Sequence, residues 1–204
     1  MTQDIPSPID LRIMADAIEW ESTAMSKRPW RTEFFTAVAS SIASAIGQVH
    51  RVLELGSGPG FLAEHLLRAL PFVSYVALDF SPAMHELAVR RLGPLASRVQ
   101  FVERSFREPE WSHGLGSFDC VVTNQAVHEL RHKRHAVTLH RQVKTALAPG
   151  GCYLVCDHFA GEGGMKDDQL YMSVAEQRDA LLTVGFVGVE QRLLKGGLVL
   201  HLAT

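Results

Sequence analysis

The sequence has few cysteines, no surplus of positive charge and no long apolar run. Its three cysteines are an odd number, stand in apolar segments and form no CxxC pair. This pattern predicts buried thiols in a reducing compartment and argues against a disulfide framework or a metal site. Twenty basic against 22 acidic residues give a net charge of −2. A dedicated nucleic-acid-binding protein is disfavoured, because such proteins carry excess positive charge for the phosphate backbone.

Every apolar run is shorter than the roughly 20 residues that span a bilayer. The N-terminus lacks the basic start, apolar centre and small-residue cleavage site of a signal peptide. We therefore predict a soluble cytoplasmic protein without a membrane partner. The chain has 204 residues, of which 47% are hydrophobic and 21% charged. This composition supports a packed core, and the length suits one domain with a small cap.

Helical and extended patterns succeed one another along the chain. Apolar spacing predicts two N-terminal helices, over residues 8–25 and from residue 30 to Ile46, with a break at 27–29. We interpret residues 1–48 as helices that form a cap over the site, and residues 49–204 as the main domain. Further helices are predicted at 61–70, from Ser81-Pro82 onward, at 131–147 and at 171–184. Strands are predicted for the segments RVLELG, SYVALD, RVQFVE, FDCVVTN and CYLVCD and for the two segments around Gly196-Gly197.

Alternating strands and helices predict an α/β fold with a doubly wound, seven-stranded, mostly parallel sheet. The last two strands follow each other across a Gly-Gly turn, so they form a C-terminal hairpin in which one strand runs antiparallel to its neighbours. Ligands of such sheets bind beyond the carboxyl ends of the strands. The residues that directly follow each strand are therefore the candidates for function.

A glycine-rich loop joins the first strand to the following helix. Gly56, Gly58 and Gly60 form the pattern GxGxG, whereas the dinucleotide fingerprint GxGxxG requires glycine where Phe61 stands. The spacing disfavours a tight pyrophosphate cradle but suits another nucleoside ligand. Asp79 ends the second strand 79 − 60 = 19 residues further on, close to the spacing of a ribose-binding carboxylate. A helix-capping role for Asp79 is the alternative, and ribose binding is the better interpretation.

Several motifs in order resemble the class I S-adenosylmethionine-dependent methyltransferases of small-molecule type. They are ELGSGPG, the acidic end of the second strand, FDCVVTNQAVHEL, LAPGG and LLTVGF. The final hairpin also fits, since this family has a reversed seventh strand. The resemblance covers residues 49–204. It implies a Rossmann-like fold, S-adenosyl-L-methionine as cofactor and methyl transfer to O or N of a small-molecule acceptor.

The same resemblance implies which residues contact the cofactor. Glu54 would lie beneath the methionine part, Asp79 would hold the ribose hydroxyls and Phe80 would lie against the adenine. Arg104 stands where the family often has an acidic residue for the adenine amino group, which leaves the Ser105 hydroxyl, a backbone carbonyl or packing by Phe106 as its replacement. The remaining implied contacts are the loop residues Gly56, Ser57, Gly58 and Gly60 and, on the methionine side, Asn124 and Gln125.

Residues after the fourth and fifth strands are the acid–base candidates. We rank His128 first as a catalytic residue, followed by His158 and Asp157, with a packing or capping role as the alternative for His128. His128 and His132 have i, i+4 spacing, but the cationic stretch around them argues against a metal. Aromatic and basic residues at the break between the N-terminal helices predict acceptor binding. These are Trp20, Trp30 and Arg31.

Two other functions remain open on the sequence. One is a nicotinamide-dependent oxidoreductase on a related sheet, which position 61 and the reversed hairpin disfavour. The other is a non-catalytic protein that binds a cofactor or partner on this fold, because a fold alone does not confer activity. The sequence does not specify the acceptor or the oligomeric state.

Overall fold

The computed structural model of the protein describes residues 3–45 and 50–204. Seven strands form one sheet in the order β3-β2-β1-β4-β5-β7-β6. Strands β1 to β5 pair in parallel, whereas β7 is antiparallel to both β5 and β6. The predicted fold class is thus confirmed. The strands are β1 Arg51–Leu55, β2 Ser74–Asp79, β3 Val99–Glu103, β4 Phe118–Asn124, β5 Leu147–His158, β6 Val189–Lys195 and β7 Leu198–Ala203.

The helices follow the predicted order with shifted ends. They are α1 Met14–Lys27, α2 Arg31–Ala45, α3 Phe61–Ala69, α4 Pro82–Leu92, α5 Ala136–Ala146 and α6 Val174–Thr183. Ser81 caps α4 as predicted, since its hydroxyl accepts a hydrogen bond from the Met84 N–H at 3.1 Å. The predicted end of the second helix at Ile46 lies outside the described residues.

Three helices begin later than their apolar spacing predicts. Residues 8–13 are not helical, and α1 starts at Met14. The helix predicted from residue 131 starts at Ala136, because Arg131 adopts a left-handed φ of 65° that no continuous helix accommodates. The helix predicted from residue 171 begins after Ser173, which forms a capping box with Glu176.

The sheet has an apolar layer on each face. Alternate β1 residues point to opposite sides, with Val52 in one cluster and Leu53 in the other. Helices α2 and α3 cover the first face, and α5 and α6 cover the second. Burial on both faces explains why the central strands read as apolar runs in the sequence.

The N-terminal elements lie in two different places. α1 packs through Ala17 on Met84 and Leu87 of α4, whereas α2 packs on the sheet beside α3. The predicted domain boundary at 48/49 falls outside the described residues. Within residues 3–45 and 50–204, no helix is both long and apolar enough to cross a membrane.

Candidate active site

The loop from Gly56 to Gly60 lies where β1 ends and α3 begins. All three glycines have positive φ, at 69°, 53° and 80°. A Cβ atom on Gly56 would lie 2.5 Å from the Ala126 Cβ, so this position excludes any side chain. A Cβ atom on Gly58 would meet no heavy atom within 4 Å, which leaves its backbone accessible to a ligand.

Asp79 ties this loop to the end of β2. One carboxylate oxygen accepts a hydrogen bond from the Gly58 N–H at 2.8 Å, and the other accepts one from the Ser81 N–H at 2.9 Å. Burial raises the pKa of Asp79 to about 6 against the opposing effect of these backbone donors. Each carboxylate oxygen keeps a lone pair for a further donor such as a ribose hydroxyl. The capping and ribose-binding interpretations are therefore compatible.

Glu54 lies beneath the loop on β1. It is 2% exposed and accepts a hydrogen bond from the Tyr75 hydroxyl at 2.8 Å. Burial raises the pKa of Glu54 to about 8, so the carboxyl is mostly protonated at neutral pH. A cationic ligand group beside it would favour the ionised form, as expected for an ammonium-binding carboxylate.

The pKa of Glu54 predicts a pH-dependent stability. Because this pKa rises from 4.5 to about 8 on folding, the folded protein binds more protons than the unfolded chain between these values. The resulting stabilisation is complete below pH 4.5 and is lost as the pH rises through about 8. We expect Glu54→Gln to flatten the decline in the free energy of unfolding between pH 6.5 and 8, measured by urea titration. The exposed Glu190→Gln serves as control, and equal slopes in all three proteins would contradict the assignment.

The loop, Asp79 and Glu54 line a cavity of about 260 Å³. Polar atoms without hydrogen-bond partners surround it. Within the described residues, the Ser57 hydroxyl and the Gln125 amide nitrogen are buried and form no hydrogen bond. Unpaired buried polar groups are costly, so they indicate that a polar ligand satisfies them. With Glu54, Asp79 and the open backbone at Gly58, they fit an amino-acid-bearing nucleoside.

The structure brings most of the predicted site residues to this cavity. Those that line it are Trp20, Arg31, Glu54, Gly56, Ser57, Gly58, Asp79, Phe80, Phe106, Asn124, Gln125, His128 and His158. Ser105 lies instead in a neighbouring groove of about 860 Å³, into which Phe80 and Phe106 also project. The two spaces thus meet at these aromatic side chains.

Besides Ser105, three predicted residues lie outside the cavity lining. Gly60 packs against α4, where a Cβ atom would come within 3.1 Å of the Ala88 Cβ. Trp30 packs against Gly196 in the β6–β7 turn, so its ring covers the hairpin. Asp157 lies behind the cavity lining, where its carboxylate contacts the His128 ring and the His158 backbone N–H.

Arg104 follows β3 and is hydrogen-bonded to the loop after it. Its guanidinium donates hydrogen bonds to the carbonyl oxygens of Trp111 at 3.1 Å and His113 at 2.7 Å. The side chain therefore stabilises the loop after β3. Ser105 and Phe106 line the neighbouring groove.

His128 is held by acidic groups at the ends of β4 and β5. Its Nδ1 is 2.7 Å from one Asp157 oxygen, and its backbone N–H donates to the other at 2.7 Å. Its Nε2 is 3.3 Å from a Glu129 oxygen. Burial lowers the pKa of His128, but the two carboxylates outweigh that effect and raise it to about 10. The ring is thus an imidazolium at neutral pH.

Residues before α1 form one wall of the neighbouring groove. The Arg131 guanidinium donates to the carbonyl oxygens of Ile5 at 2.8 Å and Pro6 at 2.7 Å, and the Ile5 N–H donates to the Arg131 carbonyl at 2.9 Å. Asp4 forms ion pairs with Arg107 and Arg134. The N-terminal segment is therefore anchored across the groove.

Sequence reasoning missed three polar residues that line the cavity. Tyr171 precedes the capping box of α6, Arg28 stands in the break between α1 and α2, and Glu129 follows His128. Nothing in the local sequence marks Tyr171. Arg28 had a signal, because it is one of the basic residues at the break that already indicated Arg31.

Comparisons with known proteins agree with this geometry. Residues 52–151 match the family model described as a methyltransferase domain. Malonyl-[acyl-carrier protein] O-methyltransferase of a Paenibacillus species is 32% identical over 102 residues, 50% of this chain and 36% of that protein. Trans-aconitate 2-methyltransferase of Methylobacterium nodulans is 36% identical over 105 residues, 52% of this chain and 37% of that protein. The chain spans a little over a third of the length of these curated relatives.

A solved structure supports the fold over nearly the whole chain. The DhpI–SAH complex aligns with a TM-score of 0.72 at 22% identity and covers 94% of this chain and 92% of that chain. The family model thus identifies residues 52–151 as a methyltransferase domain, and the solved structure supports the class I fold over nearly the whole chain. The family predicted from the glycine loop and the strand-end motifs is confirmed.

Proposed function

We propose that this protein transfers the methyl group of S-adenosyl-L-methionine to an oxygen or nitrogen atom of a small-molecule acceptor. The observation that carries the proposal is the glycine loop held by Asp79 over a cavity with unpartnered polar groups. A relative named as an O-methyltransferase supports transfer to oxygen.

The residues of the cavity match the parts of the cofactor. Asp79 accepts hydrogen bonds from a diol, Glu54 binds an ammonium and Gly58 lets the ligand approach the backbone. Phe80 and Phe106 offer apolar faces for a purine. When bound, S-adenosylmethionine supplies a methyl group attached to a positively charged sulfur, and the leaving group is a neutral thioether. The protein's task is to align the acceptor and exclude water.

Calorimetry tests this proposal directly. We expect S-adenosylmethionine and S-adenosylhomocysteine to bind the protein, and reduced nicotinamide dinucleotide to give no saturable fluorescence change. Absence of binding by both sulfur compounds would refute the proposal. Binding without turnover of any acceptor in a broad metabolite screen would favour the non-catalytic alternative.

The N-terminal residues support a cap over this site. Leu11 and Trp20 line the cavity, and residues 4–10 line the groove beside it. We propose that α1 and the preceding segment shield bound ligands from solvent, as predicted for residues 1–48. Trp30, which packs on the hairpin, supports this cap without reaching the acceptor.

Arg31 has the charge and the free donors to bind a carboxylate. It is 3% exposed, and its Nη2 donates to the Gln125 side-chain oxygen at 2.8 Å. Its Nε and Nη1 are buried without a partner within the described residues. Burial and the nearby Arg28 lower the pKa of Arg31 to about 10, which leaves the guanidinium charged. A buried unpaired charge is costly, so an anionic ligand group would stabilise it.

Two ligands can supply that carboxylate: the amino-acid end of the cofactor and an acidic acceptor. We expect Arg31→Gln to weaken S-adenosylhomocysteine binding roughly 10- to 100-fold in calorimetry, the value of one or two charge-assisted hydrogen bonds. Binding of 5′-methylthioadenosine, which lacks the amino-acid end, should stay unchanged. Arg68→Gln, at an exposed arginine outside the cavity, is the control and should leave both affinities unchanged. Unchanged affinity for both nucleosides would instead assign Arg31 to the acceptor, as predicted from the sequence.

A further inference from the structure

Three rings meet at the carboxyl ends of β4 and β5. The centroids of His128, His158 and Tyr171 lie 5.2 to 5.6 Å apart in every pair. All three side chains line the cavity that also contains the glycine loop. The planes of His128 and Tyr171 are tilted by 39°, and His158 stands edge-on to both, at 71° and 78°. The cluster therefore offers edge-to-face contacts, which suit an aromatic ring of the acceptor.

The two histidines of this cluster differ in what their ring nitrogens contact. Both His128 nitrogens face carboxylates, of Asp157 and Glu129. Neither His158 nitrogen forms a hydrogen bond within the described residues, and its Nδ1 is buried. An imidazolium with both N–H groups engaged has no lone pair for another proton, whereas a neutral imidazole has one.

The backbone of His158 is held by hydrogen bonds, although its ring nitrogens form none within the described residues. The His158 N–H donates to an Asp157 oxygen at 2.7 Å, and its carbonyl accepts from the Gln177 amide at 2.8 Å. Burial lowers the pKa of His158 to about 4; Asp157 opposes this, and His128, Arg28 and Arg31 reinforce it. The Tyr171 ring also packs on the His158 ring. The Tyr171 hydroxyl has no hydrogen-bond partner among the described residues.

We propose that His158 accepts the proton in this site, while Asp157 and Glu129 hold His128 as a fixed cation. The methyl acceptor is then a hydroxyl group on a planar ring. A hydroxyl needs this help, because it is a poor nucleophile until its proton leaves, whereas a carboxylate is already deprotonated and negatively charged at neutral pH. Asp157 is a positioning residue here. The assignment rests on the methyltransferase function proposed above.

The proton and electron balance is complete without a further reactant. A lone pair of the hydroxyl oxygen forms the bond to the methyl carbon, and the pair of the broken methyl–sulfur bond stays on sulfur. The O–H pair remains on oxygen while the proton moves to the free lone pair of His158. One positive charge disappears at sulfur as one forms on His158, so the net charge of the cavity is unchanged. This compensation favours protonation of a weak base.

Ring-nitrogen NMR of the ligand-free protein tests the charge states. At pH 7.5 we expect His128 to carry protons on both nitrogens and His158 on one. Glu129→Gln and Asp157→Asn should each move the His128 titration to lower pH, with circular dichroism as the check on folding. Because Glu129 is partly exposed at the cavity edge, Glu129→Gln should fold. It therefore still tests the charge of His128 if Asp157→Asn unfolds. A neutral His128 or a doubly protonated His158 at pH 7.5 would overturn the assignment.

Methyl transfer to two phenols tests the role of His158. Phenol holds its proton at pH 7.5, whereas 4-nitrophenol is largely ionised there. We expect His158→Gln to slow transfer to phenol by roughly 100-fold or more, the usual range for a general base, and to 4-nitrophenol by less than about threefold. Equal losses on both probes indicate a merely structural role and would overturn the proposal.

The acceptor class and the proposed function fail in different ways. Methylation of benzoate but of neither phenol, or no turnover of any probe by protein that binds S-adenosylhomocysteine, would overturn the ring-hydroxyl assignment alone. Absence of S-adenosylhomocysteine binding would instead remove the methyltransferase proposal. Tyr171→Phe keeps the ring and removes its hydroxyl; a loss of phenol turnover equal to that of His158→Gln would transfer the proton-accepting role to Tyr171 and overturn the assignment.

Discussion

Replacing Asp79 with alanine is expected to reduce the affinity for S-adenosylhomocysteine by roughly 100-fold. The variant removes two charge-assisted hydrogen bonds to a diol, each contributing about 1.5 kcal/mol or more, and every 1.4 kcal/mol corresponds to tenfold in affinity. It also leaves the Gly58 and Ser81 N–H groups without their acceptor. Titration calorimetry measures the affinity, and urea unfolding measures the accompanying loss of stability of about 1–3 kcal/mol.

Asp119 provides a matched control for Asp79. Its carboxylate also accepts two backbone N–H groups, from His50 at 3.0 Å and Arg51 at 2.9 Å, but at the opposite end of the sheet. Asp119→Ala should therefore lose a similar stability while the affinity for S-adenosylhomocysteine changes less than about twofold. If both variants lose affinity equally, the effect of Asp79 is one of folding, and the ribose assignment is wrong.

A methyl group at Gly56 is expected to disrupt the same loop from within. In Gly56→Ala the new Cβ would lie 2.5 Å from the Ala126 Cβ and 3.3 Å from the Phe106 ring, on a residue with φ of 69°. Left-handed strain costs about 1–2 kcal/mol and overpacking about 1–3 kcal/mol. We expect a loss of roughly 3 kcal/mol, a melting temperature about 6–12 °C lower and at least tenfold weaker cofactor binding.

Gly114 separates strain from overpacking in this experiment. It has a φ of 75°, and a Cβ atom there meets nothing within 4 Å. Gly114→Ala should therefore cost only the strain of about 1 kcal/mol and leave cofactor binding unchanged. Thermal melts and calorimetry of the two variants separate the effect of backbone strain from that of overpacking. Equal melting temperatures would show that Ala126 yields to the new methyl group.

The fold was accessible from the sequence because its central strands are buried on both faces. The predicted β2 and β4 match the observed Ser74–Asp79 and Phe118–Asn124, since a continuous apolar run bounded by polar residues marks each strand. The start of α5 was inaccessible. It depends on the left-handed Arg131, whose guanidinium binds residues about 125 positions earlier in the chain.

The residues of the candidate site, like the elements of the fold, were only partly predictable from the sequence. Loop and strand-end residues were predictable, because short motifs place Glu54 and Asp79 at known points of the topology. The charge of His128 was not, since it depends on Asp157, 29 residues away. Trp30 shows the converse: an aromatic residue beside a helix break suggested acceptor binding, whereas its ring packs against the hairpin turn at Gly196 and does not line the cavity.

The attachment of the N-terminal segment to Arg131 bears on how the protein should be handled. Arg131 is buried, and two of its donors are satisfied only by the carbonyl oxygens of Ile5 and Pro6. Trimming the first nine residues would remove the carbonyl acceptors of these donors and one side of the groove beside Phe80. Affinity tags are therefore better kept away from this N-terminal segment. Ligand-binding assays on N-terminally shortened protein would report on an altered site.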